Sequence, residues 1–180
     1  MPDAYTIALA EAPHLATIPV IEQAAAATFA MTDLPLHLRY RVTDAETLRE
    51  AQANERLWVA LGGAGDPVGF ALAEIADGQA YLSEIDVHPA HARRGLGTRL
   101  VSAVVDWAIS KGYDSVLLVT FRHLPWNAPF YERLGFVQMN QDDLGPELRQ
   151  FIEEEAAAGI TRANRVGMRL QLQAWPTAHP

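Results

Sequence analysis

The chain has 180 residues, 49% of them hydrophobic, which is enough for one domain of ordinary size with a substantial core. Its 14 basic and 22 acidic residues leave a net charge of −8, which excludes the broad basic surface that nucleic acid or an anionic membrane would need and favours a cationic partner. It has no cysteine, which rules out disulfides, a protein thiolate nucleophile and Cys-ligated zinc, so any thiol chemistry must come with a cofactor.

Met1-Pro2-Asp3 opens without a basic region, the Ala-rich run behind it carries Glu11, His14 and Glu22, and no apolar stretch approaches about 20 residues. Neither a signal peptide nor a membrane span is expected, and the default location is the cytoplasm. Tyr5 to Leu9 alternates as a strand does. Pro13 to Phe29 carries Leu15, Ile18, Ile21, Ala25 and Phe29 at three-to-four spacing, which predicts one helix. Met31 to Val42, with Pro35, His37 and Arg39, lacks periodicity and predicts a loop or a short helix. Asp44 is placed to cap a helix from Ala45 to Glu55. Leu57 to Leu61 and Val68 to Ile75 predict two strands around the turn Gly62 to Pro67. Ala80 to Val87 is a third strand beyond Asp77-Gly78, completing an antiparallel meander.

The most informative stretch follows, Val87-His88-Pro89-Ala90-His91-Ala92-Arg93-Arg94-Gly95-Leu96-Gly97-Thr98. It joins the third strand to a helix whose apolar stripe is Leu96, Leu100, Val104 and Trp107. Two glycines let backbone approach an anion closely, the first-turn N–H groups lack intrahelical partners, and the helix dipole adds partial positive charge there. Arg93 and Arg94 add cationic donors suited to phosphate. The helix should end at Lys111-Gly112, with Gly112 the C-cap. Val116 to Val119 is a buried strand, so the strand–helix–strand run from Ile85 to Val119 requires a parallel crossover. Then come a short helix from Pro129 to Leu134, a strand from Phe136, a helix from Leu148 to Ala158 with Glu153-Glu154-Glu155 as its solvated face, and a last strand from Asn164 to Leu172. The expectation is an α/β fold in one domain over residues 1–180, with a core over 5–172, a loose tail over 173–180, and a mixed twisted sheet of six to seven strands flanked by helices.

Taken singly, each signal has a plainer reading. Glycine turns before helices are common, paired arginines are usually surface charges, and Tyr131 alone reads as a core aromatic. Order and spacing carry the functional reading: strand, basic glycine turn, helix, buried strand, then Asn127-Ala128-Pro129-Phe130-Tyr131-Glu132-Arg133-Leu134-Gly135-Phe136. Together the two motifs resemble the GCN5-related N-acetyltransferase (GNAT) family, whose order of elements the chain follows from Tyr5 to Leu172. The resemblance implies an acetyl-CoA-dependent N-acetyltransferase with the sheet splayed at the acetyl-CoA site. By similarity, the backbone at Arg93, Arg94, Gly95, Gly97 and Thr98 binds the pyrophosphate, Ile85 and Val87 offer main-chain hydrogen bonds to the pantetheine arm as an added strand would, and Asn127 contacts the same arm. The family pattern usually has Gln or Arg where this chain has Ala92, which removes one side chain near the phosphate and leaves the backbone site intact.

The implied chemistry is direct attack of a neutral amine on the thioester, with Tyr131 protonating the departing thiolate and a backbone N–H near Val87 polarising the carbonyl. No metal is needed, and the histidines show no ligand spacing. The amine must lose a proton. Glu84 is the first candidate base and Asp86, on the same strand face, the second, with Ser83 and Tyr81 on the opposite face as a route through water. Arg122, just past the buried strand, is suited to an acidic acceptor or to capping a carbonyl. The expected acceptor is a small primary amine; a peptide or protein amine, a CoA-binding regulatory module without turnover, and a longer acyl donor are the alternatives. The sequence is also compatible with a homodimer through the C-terminal segment.

Overall fold

The structure is a computed structural model and describes residues 5–175. Seven strands form one mixed sheet in the order β1-β2-β3-β4-β5-β7-β6, with β1 at Thr6–Leu9, β2 at Leu57–Leu61, β3 at Pro67–Ala76, β4 at Gln79–Val87, β5 at Ser115–Phe121, β6 at Val137–Gln138 and β7 at Arg165–Gln171. The helices are α1 (Ile18–Ala25), α2 (Leu36–Arg39), α3 (Ala45–Ala53), α4 (Leu96–Ser110), α5 (Ala128–Arg133) and α6 (Pro146–Ala157). The chain divides into two compact units. One comprises the described residues up to Glu74 with Leu82–Val104, the other Ile75–Tyr81 with the described residues from Val105 onward.

In the first unit, β1 pairs antiparallel with β2 from Thr6↔Leu61 to Leu9↔Trp58, and β2 pairs antiparallel with β3 through Leu57↔Leu72 and Val59↔Phe70, with a bulge at Ala60/Leu61. Alternate residues of β2 and β3 turn Leu57, Val59, Phe70 and Leu72 onto a core completed by Ile18 and Ile21 of α1 and by Leu48 and Ala51 of α3. Asp44 caps α3 as its position predicts, Oδ1 accepting from the N–H groups of Glu46 at 3.0 Å and Thr47 at 2.9 Å. The single helix expected from Pro13 to Phe29 is instead three pieces, a 3-10 turn at Ala12–Ala16, α1, and a 3-10 turn at Ala26–Phe29. Pro19 sits in the first turn of α1, where its missing N–H costs nothing, and it cannot continue a helix arriving from Pro13.

In the second unit, β5 pairs in parallel with the start of β4 through Ala80↔Val116 and Tyr81↔Leu117, and antiparallel with β7 from Ser115↔Gln171 to Phe121↔Arg165. Short β6 pairs with β7 at Val137↔Arg169 and Gln138↔Met168. Helix α6 lays Leu148 and Ile152 over Ala76, Tyr81 and Leu117. The Asp77 carboxylate caps its N-terminus by accepting from Glu147 N–H at 2.9 Å and Leu148 N–H at 3.2 Å, while the Glu147 carboxylate accepts the Asp77 N–H. A Cβ on Gly145 would stand 2.1 Å from the Asp77 carboxyl carbon, so any larger residue there would displace the capping carboxylate. Of the tail expected over residues 173–180, the first three are described. Leu172–Ala174 form a 3-10 turn and Trp175 is buried, because the indole supplies apolar area worth covering; residues 176–180 lie outside the described residues. No helix among the described residues is long and apolar enough to cross a membrane.

Candidate active site

The glycine turn lies in the first unit. After β4, His88 caps a 3-10 turn at Pro89–His91 by accepting the Ala90 N–H on Nδ1 at 3.2 Å. Arg93 then adopts φ +59° and Gly95 φ +74°, both left-handed, and α4 begins at Leu96. The first intrahelical bond runs from Arg99 N–H to the Gly95 carbonyl at 3.1 Å, so the N–H groups of Leu96, Gly97 and Thr98 are the orphan donors of that helix end. Leu96 and Leu100 are buried and fix the helix, while Arg93, Arg94 and Gly95 are exposed around its positive end. Tyr5 braces the turn. Its hydroxyl is 2.9 Å from His91 Nδ1, its carbonyl accepts from Arg99 Nη2 at 3.1 Å, and the Arg94 guanidinium lies 5.6 Å from the centre of its ring. That role is invisible in sequence because 86 residues separate Tyr5 from His91.

The end of β4 belongs to the same unit. Ile85, Asp86 and Val87 are half-buried and Glu84 is exposed. Gly69 of β3 lets the two strands close up, since a Cβ there would stand 3.0 Å from the Asp86 carbonyl and 3.2 Å from Val87 Cγ2. Burial, then repulsion from Glu84, then repulsion from Glu22 push the Asp86 carboxyl well above the usual carboxylate range. Glu22 is buried on α1, where its carboxylate accepts from Thr43 N–H at 3.0 Å and from Thr43 Oγ1 at 2.7 Å. The sequence singles out Glu84 and Asp86 but not Glu22, whose fixed position depends on a bond to a residue 21 positions away.

Asn127 and Tyr131 lie in the second unit, Asn127 at the N-cap of the short helix α5 and Tyr131 within it. The Asn127 carbonyl accepts from Tyr131 N–H at 3.2 Å, so the two side chains share one rigid turn. Asn127 Nδ2 donates to Thr120 Oγ1 at 2.8 Å, at the carboxyl end of β5, while its Oδ1 is buried and has no hydrogen-bond partner among the described residues. A buried orphan acceptor costs about 1–3 kcal/mol and fits the N–H of an amide-bearing ligand. The Tyr131 ring is 6% exposed and meets Phe130 and Phe136 edge-on, at 5.1 and 5.5 Å between centres. Thr120, which fixes Asn127, is a partner that the sequence does not indicate. Of the alternative base route, Tyr81 packs its ring 5.1 Å from Phe151 in the core beneath α6.

Comparison with known proteins bears on the family and the fold. Residues 21–136 match the family model described as Acetyltransferase (GNAT) family. A GNAT-family acetyltransferase of Staphylococcus aureus Mu50 has a similar fold, with a TM-score of 0.71 at 14% identity over 94% of this chain and 99% of that one. The ribosomal-protein-S18-alanine N-acetyltransferase of Escherichia coli gives a TM-score of 0.64 at 20% identity over 98% and 99% of the two chains. N-acetylglutamate synthase of Neisseria gonorrhoeae, complexed with coenzyme A and N-acetyl-glutamate, gives 0.67 at 19% identity over 94% of this chain and 35% of that longer one. At these identities the likeness is one of fold.

Proposed function

Because the chain belongs to the GNAT acetyltransferase family, we propose that it works as one domain that transfers the acetyl group of acetyl-CoA to a primary amine of a small molecule, by direct attack in a ternary complex. The observation that carries this reading is the start of α4, where three orphan N–H groups, left-handed Gly95 and the exposed guanidinium of Arg93 are arranged as a diphosphate needs. In this reading the backbone of Arg93, Arg94, Gly95, Gly97 and Thr98 holds the diphosphate, Ile85 and Val87 hold the pantetheine by main-chain bonds, and the orphan Asn127 Oδ1 accepts a pantetheine N–H. Bound acetyl-CoA supplies an activated thioester. Tyr131 gives its phenolic proton to the leaving sulfur, and the Val87 N–H polarises the carbonyl.

The acceptor ammonium loses its proton to the β4 carboxylates. Burial and the neighbouring carboxylates of Glu84 and Glu22 push Asp86 well above the usual carboxylate range, and exposed Glu84 lies two residues away on the same face. Of the similar structures, one is complexed with N-acetyl-glutamate and another is named for the alanine of a ribosomal protein, so support for a small amine comes from this chain's own residues. The chain's working place in this reading is the cytoplasm. Purified protein should release thiol from acetyl-CoA with one class among aliphatic amines, amino acids, aminoglycosides and short peptides. Tight CoA binding with no release from any of them would instead favour a regulatory CoA-binding module.

A further inference from the structure

A cavity of about 290 Å³ opens in the second unit, beside β7 and past the carboxyl end of β5. Four arginines line it: Arg122 just beyond β5, Arg149 on α6, and Arg162 and Arg165 leading into β7. Two of them are neutralised. Arg165 holds Glu155 with two bonds of 2.6 Å and lies 4.4 Å over the Phe121 ring, and Arg162 pairs with Glu153. The other two have no ion-pair partner among the described residues. Arg122 Nη1 donates to the neutral Gln138 Oε1 at 2.5 Å, and Arg149 Nη2 donates to the Asp142 backbone carbonyl at 3.1 Å. With the Asp142 carboxylate also at the rim, four guanidiniums meet three carboxylates and one positive charge is left over, in a chain whose net charge is −8. Met139, Leu144, Ile152 and Val166 give the cavity an apolar floor.

We propose that this cavity receives the anionic end of the acetyl acceptor: a carboxylate held by Arg122 and Arg149, carried on a short apolar body that lies on Leu144, Ile152 and Val166. The volume is at the small end for ligand sites and suits a metabolite rather than a polypeptide. A single surplus charge matches a carboxylate better than a doubly charged phosphate. A guanidinium held by a neutral amide and another held by a carbonyl keep donors for a planar, two-oxygen anion. The location points to the acceptor. Arg122 stands two residues past Thr120, which fixes Asn127, and Gln138 passes its own hydrogen bond to Glu132 at 2.7 Å, next to Tyr131 on α5. The acceptor is therefore an amino-acid-like molecule. Its ammonium first gives one proton to the base of the reaction proposed above; the neutral nitrogen then forms the bond to the acetyl carbon as the carbon–sulfur bond breaks, the thiolate takes the Tyr131 proton, the second nitrogen proton restores the phenol, and the carboxylate is unchanged. The acetyl step rests on the function proposed above, whereas the anion site rests on the second unit alone.

The test uses the full chain and two probes of one shape, 3-phenylpropanoate and 3-phenylpropan-1-ol. Calorimetry should show the acid bound at least tenfold more tightly than the alcohol, and Arg122→Gln and Arg149→Gln should each cut that preference at least fivefold, with Arg122→Lys recovering part of it. Melting curves of each variant identify any that fails to fold, and the remaining arginine variant then decides. With an amine that the protein acetylates, 3-phenylpropanoate should inhibit competitively against the amine. Equal binding of acid and alcohol, no binding of the acid, or affinities unmoved by both substitutions would overturn the anion site. Inhibition that does not compete with the amine would overturn its assignment to the acceptor. If no amine is acetylated, the proposed function fails while the binding results still decide the site.

Discussion

Replacing Gly95 separates folding from binding at the glycine turn. The residue has φ +74°, and a Cβ built on it meets no atom of the described residues within 4 Å, so Gly95→Ala brings backbone strain without a clash. Left-handed backbone costs an L-residue about 1–2 kcal/mol, which for a chain of this length lowers the melting temperature by about 2–8 °C and leaves the protein folded. In the proposed reading, the methyl enters the space through which a diphosphate reaches the Leu96, Gly97 and Thr98 N–H groups. A hydrogen bond to a charged group is worth about 1.5–3 kcal/mol, so losing one should weaken CoA about ten- to a hundredfold. Gly95→Val, with a branched Cβ, should lose more. The assay is calorimetric titration of CoA into wild type and both variants, beside thermal melts. A folded Gly95→Val protein with unchanged CoA affinity would refute the assignment of the turn to the cofactor.

Thr120→Val keeps the shape of the β5 terminus and removes the acceptor of Asn127 Nδ2. It should cost about 1–3 kcal/mol in a urea titration and raise the KM for acetyl-CoA more than it lowers kcat; an unchanged KM would detach Asn127 from the cofactor. Asp77→Ala strips two cap bonds from α6 and should cost about 1 kcal/mol, or about 2–4 °C in melting temperature, and a neutral effect would show that α6 is held by its apolar face alone. Asp86 titrates above the usual carboxylate range, so the folded protein keeps a proton that the unfolded chain has released between that range and the raised value. Stability therefore falls as pH rises through this window, and Asp86→Asn should raise the melting temperature at neutral pH and remove the slope. A slope that survives the substitution would mean that another group is responsible.

Local chemistry made much of the fold legible. Asp44 caps α3 and Gly112, with φ +78°, ends α4 because both signals lie within one turn of the residues they act on. The strand register follows from the alternation of Leu57, Val59, Phe70 and Leu72. The helix expected across Pro19 shows the weakness of a spacing argument, since three-to-four periodicity survives in two 3-10 turns around a shorter helix. Trp107 was expected in the α4 stripe and is only half-buried, with Val101, Val105 and Ala108 taking the innermost positions. In the candidate site, residues carried by a motif could be found, but their supports could not. Tyr5 behind the turn, Glu22 near Asp86, Thr120 beneath Asn127 and the pairing that leaves Arg122 and Arg149 without carboxylates all depend on the folded geometry.

The proton donated by Tyr131 is the most direct test of the proposed chemistry. Tyr131→Phe removes one oxygen from a ring held by Phe130 and Phe136 and should leave the packing of α5 intact. With an acetylated amine in hand, steady-state thiol release by the variant should show kcat lowered about ten- to ten-thousandfold while CoA affinity by calorimetry stays within about twofold. Unaltered turnover with weakened CoA binding would contradict the mechanism and leave Tyr131 a structural residue.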